Sequence, residues 1–217
     1  MIVLRALGAL LSYPREDLRQ ALPEVTQAIG ASPLIAKRER DGLMILIDDL
    51  ASGDLLAPEE RYVELFDRGR ATSLNLFEHL HGENRDRGDA MVELKRRYER
   101  AGFELATREL PDHLPVVLEY LSCRGIAETR DVLRDCAHLL KRIGGALIAR
   151  DSGYAAVFQA LLVIAGETPL DSAAVPRVAD HDDNLDRDWF EQPAFEGEPL
   201  PGGTRTGRSP APRPRGR

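Results

Sequence analysis

Residues 127–149, AETRDVLRDCAHLLKRIGGALIA, decide the fold, because apolar side chains recur there every three or four residues. The row consists of Val132, Cys136, Leu139, Ile143 and Leu147. This spacing places the side chains on one face and predicts a long α-helix. Gly144 and Gly145 lie within it, and the absence of their side chains predicts close approach by another helix.

Similar rows lie on both sides of this stretch, at residues 4–11, 17–29, 33–51, 91–101, 114–121 and 154–165. Pro58, followed by two glutamates, predicts the first turn of a further helix. The sequence has no alternating apolar pattern flanked by hairpin turns. We therefore predict an all-α fold, with residues 1–177 forming a single compact helical bundle domain of about seven to nine helices.

The composition changes after residue 177. Residues 178–198 hold eight acidic residues and one arginine, together with Trp189, Phe190 and Phe195. We keep two interpretations for this acidic segment, which are docking of its aromatic rings and a solvated linker. Residues 199–217 are rich in proline, glycine and arginine and have no acidic residue. Such a composition cannot build a core, so we predict a disordered C-terminal tail.

Charge and composition exclude several classes of protein. The net charge of −7 argues against a general nucleic-acid-binding protein and favours a partner with positive charge. Cys123 and Cys136 lack the paired spacing of a zinc site, and we interpret them as buried side chains in a reducing compartment. Arg5 interrupts the apolar N-terminus, which predicts an amphipathic helix rather than a signal peptide. No apolar run reaches the roughly 18 residues of a membrane span.

The densest polar segment covers residues 67–88, DRGRATSLNLFEHLHGENRDRG. Asp67 with Arg70, and Glu83 with Arg87, have the spacing of local ion pairs. Apolar residues lie among the charges, which suits the capture of an amphipathic peptide.

An enzymatic site is the third interpretation of this segment. His79 and His81 point to different faces of a helix, so they would share a metal ion only in a non-helical segment. The sequence has no H-E-x-x-H motif and no phosphate-binding glycine loop. A binding surface or an ion-pair network is therefore favoured.

Three segments closely resemble the NarJ/NarW family, the dedicated chaperones of respiratory nitrate reductase. They are YVELFDRGRATSLNLFEHLHGENRDRG (62–88), DAMVELKRRYERAGFEL (89–105) and RELPDHLPVVLEYLS (108–122). YVELF is also similar to the aromatic-x-x-L-F signature of the wider TorD and DmsD superfamily. ELPDH at 109–113 is similar to the P-x-D-H motif of that superfamily, except that Leu110 stands where proline is usual.

The resemblance implies an all-helical cytoplasmic chaperone that is not an enzyme and has no cofactor of its own. Its expected partner is the N-terminal peptide of the immature nitrate reductase catalytic (alpha) subunit. The chaperone would hold this client while a molybdenum cofactor and an iron–sulfur cluster are inserted, and release it before docking at the membrane. Nucleic-acid binding and direct membrane insertion are not expected. A chaperone for another molybdoenzyme and a small metal-dependent enzyme using His79 and His81 remain alternatives.

From the resemblance we predict a client groove lined by the polar segment and by the helix that starts near His113. Its predicted residues are Asp67, Arg70, Phe77, Glu78, His79, His81, Glu83, Arg85, Asp86, His113 and Tyr120. Two other interpretations stay open, in which His113 makes only local hydrogen bonds with Asp112, and Phe77 and Tyr120 are core residues. Titration of a histidine near neutral pH would tune client release.

Overall fold

The computed structural model describes residues 1–81, 85–106 and 109–170, without the side chains of residues 81, 85 and 86. Within these ranges the chain forms ten α-helices. They are α1 (Ile2–Leu10), α2 (Glu16–Gly30), α3 (Lys37–Ala51), α4 (Leu56–Tyr62), α5 (Glu78–His81), α6 (Arg85–Arg100), α7 (Leu114–Ser122), α8 (Ile126–Asp135), α9 (Ala137–Ala149) and α10 (Ala155–Ala165). Val63–Asp67 continues α4 as a π-helical turn, and Arg70–Thr72 forms a 3-10 turn.

Helix α1 is central because it packs against both α2 and α7. Its buried side chains include Leu4, Leu7 and Leu10, as the helical spacing predicts, and the charged Arg5 is exposed. Burial of each such leucine contributes about 2 kcal/mol to folding. The predicted amphipathic first helix is therefore confirmed.

Helix α10 is the second central element and packs against α3, α8 and α9. The predicted close approach at Gly144 is confirmed, because a Cβ atom built there would lie 3.0 Å from Cβ of Phe158. It would also collide with the side chain of Leu170. No atom lies within 4 Å of a Cβ built at Gly145. Only the first of the two glycines is therefore needed for packing.

We expect opposite effects from alanine at these two neighbouring positions. Gly144→Ala should destabilise the fold by about 1 kcal/mol, because Cβ of Phe158 is fixed to a packed helix and cannot yield easily. Gly145→Ala should stabilise it by about 0.5–1 kcal/mol, because alanine restricts the unfolded chain and meets no neighbour. Urea denaturation of both variants tests the pair, and equal stabilities would contradict the packing argument.

The long helix predicted over residues 127–149 is wrong in one respect, since it divides into α8 and α9 at Cys136. The backbone of Cys136 has φ −89° and ψ 0°, which ends one helix and starts the next. Both helices pack against α10. Tertiary packing sets this break, because residues 127–143 contain neither glycine nor proline. Cys123 is exposed and Cys136 only partly buried, so the expectation of two buried cysteines is also wrong.

The all-α fold class is confirmed. The helix count exceeds the expected seven to nine because α5 is a single turn and α8 and α9 are separate. The predicted boundary at residue 177, the acidic segment 178–198 with Trp189, and the tail 199–217 lie outside the described residues. No helix in the described ranges has both the length and the apolar composition required to cross a membrane.

Candidate functional site

An open groove with a volume of about 700 Å³ runs between α1, α2 and α7. We call it the α1–α7 groove. Its lining residues are Arg5, Gly8, Ala9, Ser12, Tyr13, Arg15, Asp17, Leu18, Ala21, Tyr62, Asp67, Glu109, His113, Pro115, Val116 and Glu119. This volume falls in the range of sites that bind a small molecule or part of a peptide.

Small residues of α1 and of the turn that follows it form one wall of the groove, at Gly8, Ala9 and Ser12. A Cβ atom built on Gly8 would lie 3.4 Å from the carbonyl oxygen of Pro115 and 3.5 Å from Cβ of Leu118, so α1 and α7 approach closely. The Ser12 hydroxyl, just beyond the end of α1, donates to the carbonyl oxygen of Gly8 at 3.1 Å. The groove is therefore open because the side chains along this face of α1 are short.

Charged side chains surround these small residues. Four carboxylates line the groove, at Asp17, Asp67, Glu109 and Glu119, against the two guanidinium groups of Arg5 and Arg15. The guanidinium group of Arg15 also lies 5.7 Å from the ring centroid of Tyr13. This mixed but predominantly acidic lining favours a peptide that carries apolar and basic side chains.

His113 occupies the position before α7 and faces the groove. Its Nδ1 atom lies 3.9 Å from Oε2 of Glu109, beyond hydrogen-bond distance. Burial lowers the pKa of His113, and the carboxylates of Glu109 and Asp67 offset part of this effect. The ring is therefore neutral at pH 7, and its protonation would add a positive charge to the groove.

The shifted pKa of His113 predicts a pH-dependent stability. Because the folded-state pKa lies below the unfolded value of 6.5, the unfolded chain takes up the proton first as the pH falls. Wild type should therefore lose stability as the pH falls below about 7, and His113→Gln should lose less. Urea midpoints at several pH values measure this difference. Parallel curves for the two proteins would contradict it.

The polar segment is attached to the start of α7 by an isolated antiparallel bridge between Asn75 and His113. On one side, the N–H group of Leu114 donates to the carbonyl oxygen of Leu74 at 2.9 Å. On the other side, the N–H group of Leu76 donates to the carbonyl oxygen of Asp112 at 3.2 Å. The polar segment therefore lies directly beside His113, which lines the groove.

A hydrogen-bonded cluster fixes the side chains at the start of α5. The Ser73 hydroxyl donates to the carboxylate of Glu78, and Nη2 of Arg87 lies 3.3 Å from Oε1 of the same residue. Burial raises the pKa of Glu78, but these two contacts, together with the side chain of Asn75, outweigh it and hold the pKa below its ordinary value. Nε2 of His79 lies 2.9 Å from the carbonyl oxygen of Ser73. Arg87 thus pairs with Glu78, while Glu83, its suggested partner, lies outside the described residues.

The structure distributes the predicted site residues among several places. Asp67 and His113 line the groove, and Phe77, Glu78 and His79 lie on the adjoining turn. Arg70 is exposed at the 3-10 turn. The side chains of His81, Glu83, Arg85 and Asp86 are outside the described part of the chain.

Tyr120 lies in the core rather than on a surface. Its side chain is 5% exposed and packs against Tyr98 at 4.7 Å and Phe103 at 5.4 Å between ring centroids. Its hydroxyl donates to Oε1 of Glu128 at 3.1 Å. These contacts favour the interpretation of Tyr120 as a core residue. Phe77, by contrast, is half-buried.

Sequence reasoning did not predict the walls that α1 and α2 contribute, including Arg5, Ala9, Ser12 and Arg15. A signal was present, because short side chains at Gly8 and Ser12 recur at helical spacing beside the leucine row of α1. For the suggested metal site, the described side chains contain no group of three or more histidine, cysteine, aspartate or glutamate residues placed to bind an ion.

Comparison with known proteins identifies the family. The family model described as nitrate reductase delta subunit matches residues 14–160. The chain is 46% identical to the nitrate reductase molybdenum cofactor assembly chaperone NarJ of Escherichia coli, over 88% of this chain and 84% of that protein. It is 38% identical to NarW of the same organism, over 88% of this chain and 82% of that protein.

A solved structure supports the fold. A protein from Archaeoglobus fulgidus, described as a candidate redox enzyme maturation protein, superposes with a TM-score of 0.52 at 22% identity. The match covers 73% of this chain and 88% of that chain.

The resemblance to the NarJ/NarW family is confirmed, and the matches to NarJ and NarW extend it from residues 62–122 to most of the chain. The chain belongs to the nitrate reductase delta subunit family.

Proposed function

We propose that this protein is a chaperone for the maturation of respiratory nitrate reductase. The observation that carries the proposal is the identity of 46%, across 88% of the chain, to a relative named as a nitrate reductase molybdenum cofactor assembly chaperone. In this role it binds the catalytic subunit in the cytoplasm and supports insertion of the molybdenum cofactor and an iron–sulfur cluster. It releases the subunit before membrane docking and carries out no catalytic step itself.

We further propose that the client contact is the N-terminal segment of the catalytic subunit, bound in the α1–α7 groove. The small residues Gly8, Ala9 and Ser12 leave room for an apolar face of a peptide. Carboxylates at Asp67 and Glu109 suit its basic side chains. Because this lining is polar and open to water, the contact would be reversible, as a chaperone that must release its client requires.

Calorimetry with the purified full chain tests the proposal. The ligand is a synthetic peptide with the N-terminal sequence of the nitrate reductase catalytic subunit from the same organism. A peptide of the same composition in scrambled order is the control. A third peptide, from the N-terminus of another molybdoenzyme, tests the alternative client.

Saturable binding of the nitrate reductase peptide, with no binding of the scrambled peptide, is the expected result. Tighter binding of the third peptide would favour a chaperone for another molybdoenzyme. Failure of wild type to bind the first peptide would refute the N-terminal client contact. A stoichiometric metal ion in the purified chain would instead favour the helical enzyme.

A further inference from the structure

A buried carboxylate outside the groove lining, that of Asp112, lies two residues before α7. The side chain of Asp112 is 0% exposed. Its Oδ2 atom accepts a hydrogen bond from the N–H group of Phe77 at 2.8 Å, and its backbone carbonyl oxygen accepts one from the N–H group of Leu76 at 3.2 Å. Asp112 therefore accepts hydrogen bonds from two consecutive N–H groups of the polar segment.

The use of a buried aspartate for this connection reduces the stability of the fold. Its Oδ1 atom is buried and has no hydrogen-bond partner in the described part of the chain. Burial raises the pKa of the carboxyl group, and the Phe77 N–H group and the charge of Arg87 offset only part of that effect. An incompletely satisfied buried carboxylate reduces stability, so packing alone does not account for it.

The position of this residue suggests what it does. Asp112 lies next to His113, which faces the groove, while Phe77 lies next to Glu78 and His79 on the turn. The bond between Asp112 and Phe77 therefore joins the two surfaces on which the predicted client residues lie. A hydrogen bond from Tyr98 holds the residue before Asp112, because the Tyr98 hydroxyl donates to the carbonyl oxygen of Pro111 at 2.8 Å.

We propose that Asp112 is a positioning residue for the client, which holds the turn carrying Phe77, Glu78 and His79 at a fixed place beside the α1–α7 groove. This inference rests on the proposed function, because it assumes that the client contacts this region. Asp112 itself does not touch the client. It acts through the backbone of Phe77, and its side-chain oxygen is the required feature rather than its charge.

Two substitutions at Asp112 separate the effect of its hydrogen bond to Phe77 from the effect of its charge. Asp112→Asn keeps an oxygen that can accept the Phe77 N–H bond, whereas Asp112→Leu has similar size and no acceptor. Thr129→Val is the matched control, because Thr129 is also fully buried and its hydroxyl donates to the carbonyl oxygen of Leu121 at 3.3 Å. The readouts are affinity for the nitrate reductase peptide, by calorimetry, and hydrogen exchange of the Phe77 amide in the full chain.

We expect Asp112→Leu to weaken peptide binding roughly tenfold or more and to speed exchange at Phe77. Asp112→Asn should stay within about threefold of wild type, and so should Thr129→Val. The inference is overturned if wild type binds and Asp112→Leu binds equally well, or if Thr129→Val weakens binding as much. Failure of wild type to bind would instead overturn the proposed client contact.

A measurement on wild type covers the case in which Asp112→Leu does not fold. The Phe77 amide should then exchange slowly in the native chain, because it donates to a fully buried carboxylate. Glu16 is an exposed residue at the start of α2, where backbone N–H groups have no partner within the helix, and its amide provides an internal reference for fast exchange. Exchange at Phe77 as fast as at this reference would overturn the inference.

Discussion

Tyr62→Ala is expected to lower the free energy of unfolding by about 4 kcal/mol, because it removes a buried ring and a buried hydrogen bond together. The ring lies 4.9 Å from that of Phe66 and 5.4 Å from that of Tyr13, between centroids. Its hydroxyl donates to the carbonyl oxygen of Leu11 at 2.9 Å. Tyr62 therefore connects α4 to the end of α1, and it also lines the α1–α7 groove. Urea denaturation followed by circular dichroism measures the loss.

Two hydroxyl deletions in the same aromatic cluster provide the control. Tyr62→Phe should cost about 1 kcal/mol, because the carbonyl oxygen of Leu11 loses its donor. Tyr154→Phe should be neutral or stabilise the fold by up to about 1 kcal/mol. The Tyr154 hydroxyl is buried, and none of the described groups forms a hydrogen bond with it. Equal losses in the two variants would contradict the role assigned to the Leu11 bond.

The helices could be predicted from the sequence because each buries a continuous apolar row. Leu4, Leu7 and Leu10 recur at the period of an α-helix, and burial of one face is sufficient to fix the element. The division at Cys136 could not be predicted in this way. It depends on how α8 and α9 each pack against α10, and no residue between them disfavours a helix locally.

The candidate site was only partly predictable for a related reason. A dense polar segment indicates that some residues are not needed for the core, but it does not indicate which distant elements lie beside them. Asp67 and His113 were expected together, and both line the groove. Ala9 and Ser12 lie more than fifty residues away in the sequence, and their short side chains carry no chemical signature. Their contribution becomes visible only when α1 is placed against α7.

Ala9→Trp is expected to weaken binding of the nitrate reductase peptide by at least about thirtyfold, a loss of roughly 2 kcal/mol. Ala9 lies in the row of small residues on α1, half-buried at the groove surface. An indole ring at this position would occupy the space that the proposed function assigns to the peptide. Because the change adds no charge, its effect on affinity would come from lost space rather than from altered electrostatics. Calorimetry with the full chain measures the affinity.

The matched control is Ala127→Trp, which places the same ring on an exposed position of α8 that does not line the groove. It should bind the peptide as wild type does. Thermal unfolding of both variants establishes that the fold is kept, since a tryptophan at a half-buried position can also loosen a helix. Wild-type affinity in a folded Ala9→Trp variant would exclude the α1–α7 groove as the client site. The client contact would then have to lie on the turn carrying Phe77, Glu78 and His79, or elsewhere on the chain.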